Sequence, residues 1–176
     1  MAQEEVKKAI ERFRNHVITQ AKANLTRMGK NTSKKLYNSI KGEVKAMPNS
    51  ISIEFSMEEY GSYQDKGVKG KNSSSKAPDS PFKFGTGSGK KGGLTEGIQK
   101  WVNAKKFQFK TKDGKFMSYK STAWLITRSI YSKGIKPSLF FTKPFEAAYK
   151  NLPSELIDKY AIETVDEFMK NISKVK

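Results

Sequence analysis

Ser50-Ile51-Ser52-Ile53-Glu54-Phe55-Ser56 alternates polar and apolar residues without a break, so Ile51, Ile53 and Phe55 share one side and Ser52 and Glu54 the other. Side chains along a strand point to opposite faces with a period of two, and the stretch therefore predicts a half-buried strand. Residues 42–47 supply a second strand, and Pro48-Asn49 between the two reads as the turn of an antiparallel hairpin. A lone hairpin is marginal in water and needs a cover for its apolar face. The cover lies upstream, where Val6, Ile10, Phe13, Val17, Ala21, Leu25 and Met28 recur in steps of three and four. That spacing draws one apolar stripe on an amphipathic helix from about Glu4 to Met28. Gly29-Lys30-Asn31 ends it, because Gly and Asn tolerate the left-handed geometry of a C-cap.

Working downstream, Leu36 to Ile40 reads as a short turn of helix or the lead-in to a strand, and residues 57–66 as a short helix. Leu94, Ile98, Trp101 and Val102 predict a helix to about Lys105, and Tyr119, Ala123, Ile126, Thr127 and Ile130 another over 118–132 that Gly134 ends. After an extended stretch from Pro137 to Thr142, a last helix is expected from about Lys143 to Ile172, broken before Pro153, with Leu156, Tyr160, Val165, Phe168 and Ile172 as its stripe. The expected class is α+β: a small antiparallel sheet packed against long N- and C-terminal helices, with a helical and hairpin insertion and a long Gly/Ser/Lys-rich loop. The 176 residues suit a single domain, with a core of 1–68 and 137–176, an insertion of 69–136 and an extended loop over 67–93.

Charge is the strongest compositional signal. Lysine and arginine number 34 against 17 aspartate and glutamate, a formal net charge of +17 that attracts phosphate polymers or acidic protein faces. The chain has no cysteine and one histidine, His16, so a disulfide framework and a thiolate zinc site are excluded and a histidine metal cluster cannot form. The acidic Met1-Ala2-Gln3-Glu4-Glu5 start lacks the apolar region of a secretion signal, and no apolar run reaches the ~18 residues of a membrane span, so no membrane partner is expected.

Motifs with chemical potential are few. Gly87-Ser88-Gly89-Lys90-Lys91-Gly92 spells GxGxxG before a helix, but the preceding Ser-Pro-Phe-Lys-Phe is no hydrophobic strand and no βαβ unit surrounds it, so a flexible loop is the better reading. Glu43-Val44-Lys45 has the acid-x-Lys form of metal-dependent nucleases, which need a further carboxylate to hold Mg²⁺; the upstream acids Glu4, Glu5 and Glu11 face no evident pocket. His16 has no Ser or Cys nucleophile arranged around it and reads as an ordinary polar position. No catalysis and no cofactor are expected. From Lys105 to Phe116 five lysines, Lys105, Lys106, Lys110, Lys112 and Lys115, interleave with phenylalanines around Asp113-Gly114. That pattern predicts a basic hairpin able to contact nucleic acid or a lumen, although cross-strand packing alone also produces it. In the 67–93 loop, Lys71, Phe82, Phe84, Lys90 and Lys91 are the candidate contacts of an inter-subunit arm.

Three segments together resemble the tail-completion or neck proteins of tailed bacteriophages. Leu36-Tyr37-Asn38-Ser39-Ile40 is similar to that family's Leu-x-x-Ser-Ile after the first helix. Tyr60-Gly61-Ser62-Tyr63-Gln64-Asp65-Lys66-Gly67 looks like its Tyr-small-x-x-x-acid-x-Gly element, with Asp65 where Glu is commoner and Val68 where Thr often follows. Leu139-Phe140-Phe141-Thr142-Lys143-Pro144-Phe145-Glu146-Ala147 is similar to a Pro-Phe-x-Arg-Pro-Ala element that opens the final helix. The resemblance covers about residues 1–68 and 137–176. It implies a non-catalytic virion structural protein, assembled in the host cytoplasm, forming a homo-oligomeric ring between portal-connected neck proteins and the tail tube, with genomic DNA passing through. The rival function is a sequence-independent DNA-binding protein that uses the 105–116 hairpin.

Overall fold

A computed structural model describes residues 2–47, 50–87, 92–152, 154 and 156. In chain order the elements are α1 (Ala2–Arg27), α2 (Lys35–Ser39), β1 (Lys41–Met47), β2 (Ser50–Ser56), α3 (Tyr60–Lys66), β3 (Val68–Lys69), α4 (Gly93–Lys105), α5 (Tyr119–Lys133), β4 (Gly134–Ile135) and α6 (Thr142–Tyr149). The chain is α+β, with two small antiparallel sheets, β1-β2 and β3-β4. It divides into two compact units, residues 1–58 with 140–176, and residues 59–139. The second unit thus begins at Glu59, upstream of the boundary drawn from sequence at residue 69, and takes α3 with it.

The first unit is built on the stripe of α1. Ala9, Ile10, Phe13, Val17, Ala21 and Leu25 are buried along it, whereas Met28, one step beyond the helix, is exposed. β1 and β2 pair with Gly42 opposite Phe55 and Val44 opposite Ile53, leaving Glu43, Lys45 and Glu54 on the solvent side. Gly42 is required here: a Cβ would come within 2.7 Å of Arg14 Cγ and 3.2 Å of Ile18 Cδ1, so its absence lets α1 lie directly on the strand. The predicted Pro48-Asn49 turn lies outside the described residues.

α2 settles the alternative left by the sequence in favour of helix, and it contributes Leu36 to a cluster with Ala21, Leu25, Ile40 and Phe140. Phe140 is fully buried, and its carbonyl oxygen accepts a hydrogen bond from Asn24 Nδ2 at 3.1 Å, tying the return of the chain to α1. Next to it, Phe13, Phe55, Phe141 and Phe145 form a ring cluster with centroid separations of 5.3–6.3 Å, edge-to-face except for the stacked Phe141–Phe145 pair. Such pairs add about 0.5–1.5 kcal/mol each beyond area burial. α6 ends at Tyr149; Leu152, Ser154 and Leu156 are again helical, and the rest of the expected stripe, Tyr160, Val165, Phe168 and Ile172, lies outside the described residues.

In the second unit α4 packs on α5, with Val102, Thr122 and Ala123 fully buried. Ser118 caps α5, its hydroxyl accepting from Ser121 N at 3.0 Å. The long loop is irregular where it is described, as its composition predicts, yet it is hydrogen-bonded from Gly67 to Phe84. Lys69 N donates to Phe82 O (2.8 Å), Phe84 N to Lys69 O (2.9 Å), Lys71 N to Tyr131 O (2.8 Å) and Ser80 Oγ to Gly67 O (2.8 Å), while Ala77 and Ser80 are buried. The pairing of β3 with β4, unforeseen from sequence, depends on Gly134, which sits at φ +85° where a Cβ would run into the Val68 carbonyl oxygen.

Three substitutions check this architecture. Phe140→Ala should lower unfolding free energy by about 3–5 kcal/mol in urea titrations, whereas exposed Phe116→Ala should stay within about 0.5 kcal/mol of the parent. Gly134→Ala combines left-handed strain with a backbone clash and should cost upwards of about 2 kcal/mol; a melting curve unchanged from the parent would contradict the β3-β4 contact.

Candidate functional site

Residues 59–139 carry 17 lysines and arginines against five acids, so this unit holds +12 of the chain's +17. The same unit keeps Trp101, Phe107, Phe109, Phe116, Trp124 and Leu125 in solvent. Exposed large rings and a strong positive charge in one unit make it the candidate contact region.

The segment after α4 builds the centre of this surface. α4 closes on Lys106, which adopts φ +51° and donates its N–H to Val102 O and Asn103 O. The chain then doubles back. Trp101, Phe107 and Phe109 form a row with centroid separations of 6.1 and 5.2 Å. The expected 107–116 hairpin is reduced to a single antiparallel bridge, Lys110 to Phe116, because the strands are too short and too charged to extend a ladder. It is nonetheless tightly held. Thr111 N donates to Lys115 O (2.8 Å), Gly114 N to Thr111 O (3.0 Å), Met117 N to Phe109 O (2.8 Å) and Gln108 Nε2 to Met117 O (2.7 Å). Gly114 takes φ +79°, the left-handed turn position expected of Asp-Gly. Phe109 N donates to Thr122 Oγ1 at 3.3 Å and fastens the loop to α5.

Lys105, Lys106, Lys110, Lys112 and Lys115 are all exposed on this loop and its root. Lys110 Nζ stands 4.9 Å over the Phe116 ring, which is 65% exposed. Beside the loop, α4 and α5 enclose an open groove of about 970 Å³ with Met117, Trp124 and Leu125 among its apolar lining and Lys100 and Lys120 among its polar lining. The Arg128 guanidinium lies 5.4 Å from the Trp124 ring, and Trp124 is 53% exposed. Sequence spacing does not single out Lys120, Trp124 and Arg128. Their signal is a large aromatic lying off the apolar stripe of α5, with cations one turn to either side.

The arm candidates fall elsewhere. Phe82 packs edge-on against Tyr63 at 4.6 Å and Phe84 against Tyr131 at 5.6 Å, both within their own unit, and Lys71 Nζ lies 6.0 Å over the Tyr131 ring. Lys90 and Lys91 lie outside the described residues, as do Ser88 and Gly89 of the GxGxxG stretch. His16 is exposed on α1.

On the first unit, the hairpin supplies the carboxylate that the Glu43-Val44-Lys45 element lacked, since register sets Glu54 opposite Glu43. Lys45 Nζ takes both, at 2.8 Å from Glu54 Oε2 and 3.8 Å from Glu43 Oε2. The hydrogen bond from Lys45 lowers the Glu54 pKa, and the same bond raises that of Lys45. This is a solvated cross-strand ion pair, and no group of three or more acids or histidines placed to hold a metal ion occurs among the described residues. No described helix is long and apolar enough to cross a membrane. No protein-family model, curated protein or solved structure matches the chain.

The ion pair has a checkable sign. In an NMR titration Glu54 should titrate below the ordinary glutamate value of about 4.3, and Lys45→Met should return it there. The small stability it lends is present above that value and disappears as pH falls through the lower folded pKa; the raised lysine pKa gives the mirror case, present below about 10.4 and lost as pH rises through the folded value.

Proposed function

We propose that this protein is a non-catalytic structural component of a tailed-bacteriophage particle, forming an oligomeric ring at the head-tail neck in the tail-completion position. The observation that carries the reading is the solvent-exposed apolar lining at Trp124 and Leu125 of a unit with net charge +12. Apolar side chains grouped in a groove are stabilised by being covered, and assembly covers them. A face so cationic repels its own copy across a two-fold axis, which favours contact with a different face of the neighbour. Contacts of that head-to-tail kind close into rings.

Further support comes from the elements on which the phage resemblance rests. Leu36 and Ile40 lie in the core cluster of the first unit, Gly67 ends α3 at φ +72°, and Phe140 is the residue around which the first unit closes. They carry the fold. The neighbours in this reading are portal-adaptor and tail-tube proteins, and the virion is the place of action, with DNA passing through the ring.

Light scattering and electron microscopy test the reading on the full chain. A closed ring, or incorporation at the neck of particles, is the expected result, and Trp124→Glu with Leu125→Glu should dissociate the ring while leaving the melting temperature near the parent's. A chain that stays monomeric at every concentration and joins no particle would overturn it.

A further inference from the structure

We propose that the 101–117 segment binds single-stranded nucleic acid, stacking bases on Phe116 and on the Trp101-Phe107-Phe109 row while the flanking lysines follow the phosphates. This goes beyond a role in assembly and is independent of it.

Three observations converge. The first is charge: from residue 97 to residue 145 the chain has eleven lysines and arginines and one acid, Asp113. None of Lys105, Lys106, Lys110, Lys112 and Lys115 forms an ion pair among the described residues, so their charge is offered outward. The second is ring exposure, with Trp101, Phe107, Phe109 and Phe116 all retaining a large solvent-facing surface within sixteen residues. The third is rigidity. Hydrogen bonds across the loop and from Phe109 N to Thr122 hold the loop backbone that carries the rings before any ligand arrives, so less ordering is spent on binding.

The combination selects among polyanions. Every base has a π-face, and stacking on protein aromatics is sequence-tolerant. Duplex DNA hides those faces in its own stack and would use the lysines alone. An acidic polypeptide likewise answers the charge and leaves four rings in water. Only an unpaired strand presents phosphates and free base faces together. Lys110 Nζ lies 4.9 Å over one face of the Phe116 ring, so a base stacking on the opposite face would have a cation close by for its phosphate.

The test uses the full chain and a labelled oligothymidylate, with a duplex of equal length and polyglutamate as rivals. The single strand should bind at least about tenfold more tightly than the duplex, and Phe116→Ala should weaken it by about tenfold or more at unchanged salt dependence. Replacing Lys110, Lys112 and Lys115 by Gln should flatten the salt dependence by about 0.7 in log-log slope for each phosphate that is no longer neutralised. Of the two tryptophans, Trp101 reports directly: quenching that persists in Trp124→Phe comes from a base on the row. Equal or tighter duplex binding, Phe116→Ala without effect in a protein that melts normally, or polyglutamate competing as well as the oligonucleotide would each overturn the proposal. Ring formation is read separately by size, so failure of one reading leaves the other standing.

Discussion

The burial of one helical stripe sets the terms for the first unit. A 26-residue helix with Ile10, Phe13, Val17, Ala21 and Leu25 along one side is unstable until that side is covered, and a two-stranded hairpin has the matching need. Each meets the other's requirement at close range because Gly42 has no side chain. Phe140 then fills the remaining space against Ala21, Leu25, Leu36 and Ile40, and a fully buried side chain of that kind is worth about 1.5–3 kcal/mol in transfer terms alone. The chain leaves this unit at Glu58 and returns to it at Phe140.

The inserted unit is held differently. Its β3-β4 pairing is two residues long, and the backbone at Gly134 and Gly67 approaches the facing chain more closely than any side chain would permit. Main-chain hydrogen bonds from the loop to Tyr131 and Ser132 stand in for a larger core. A surface of +12 opposes its own compactness by self-repulsion, a cost that binding an anionic partner relieves. Exposed rings and outward-facing cations thus occur together in a unit that buries few apolar side chains.

The hairpin of the first unit makes the contrast plain. Glu43, Lys45 and Glu54 come together on it, with the acid-x-Lys spacing and a second carboxylate, yet Lys45 is exposed to solvent and shared between the two acids. Water at such a surface screens the interaction, and the three side chains behave as a cross-strand pair.

Periodicity alone is enough for α1, for the strands β1 and β2, and for α4 and α5, because a period of 3.6 or 2 is a local property that burial only reinforces. The cationic and aromatic residues of the 105–116 segment are also legible, since composition is read directly. What periodicity cannot reach is anything that depends on residues distant in the chain. Glu54 joins Glu43 only through strand register, β3 meets β4 across more than sixty residues, and Phe82 and Phe84 turn to Tyr63 and Tyr131 instead of outward. Spacing puts Trp101 on the packed side of α4 and gives no reason to choose Trp124, which lies off the stripe of α5; the structure leaves both rings in solvent. Spacing tells which residues share a face of a helix. Which face is covered, and which is left for a partner, is decided by what the rest of the chain brings to it.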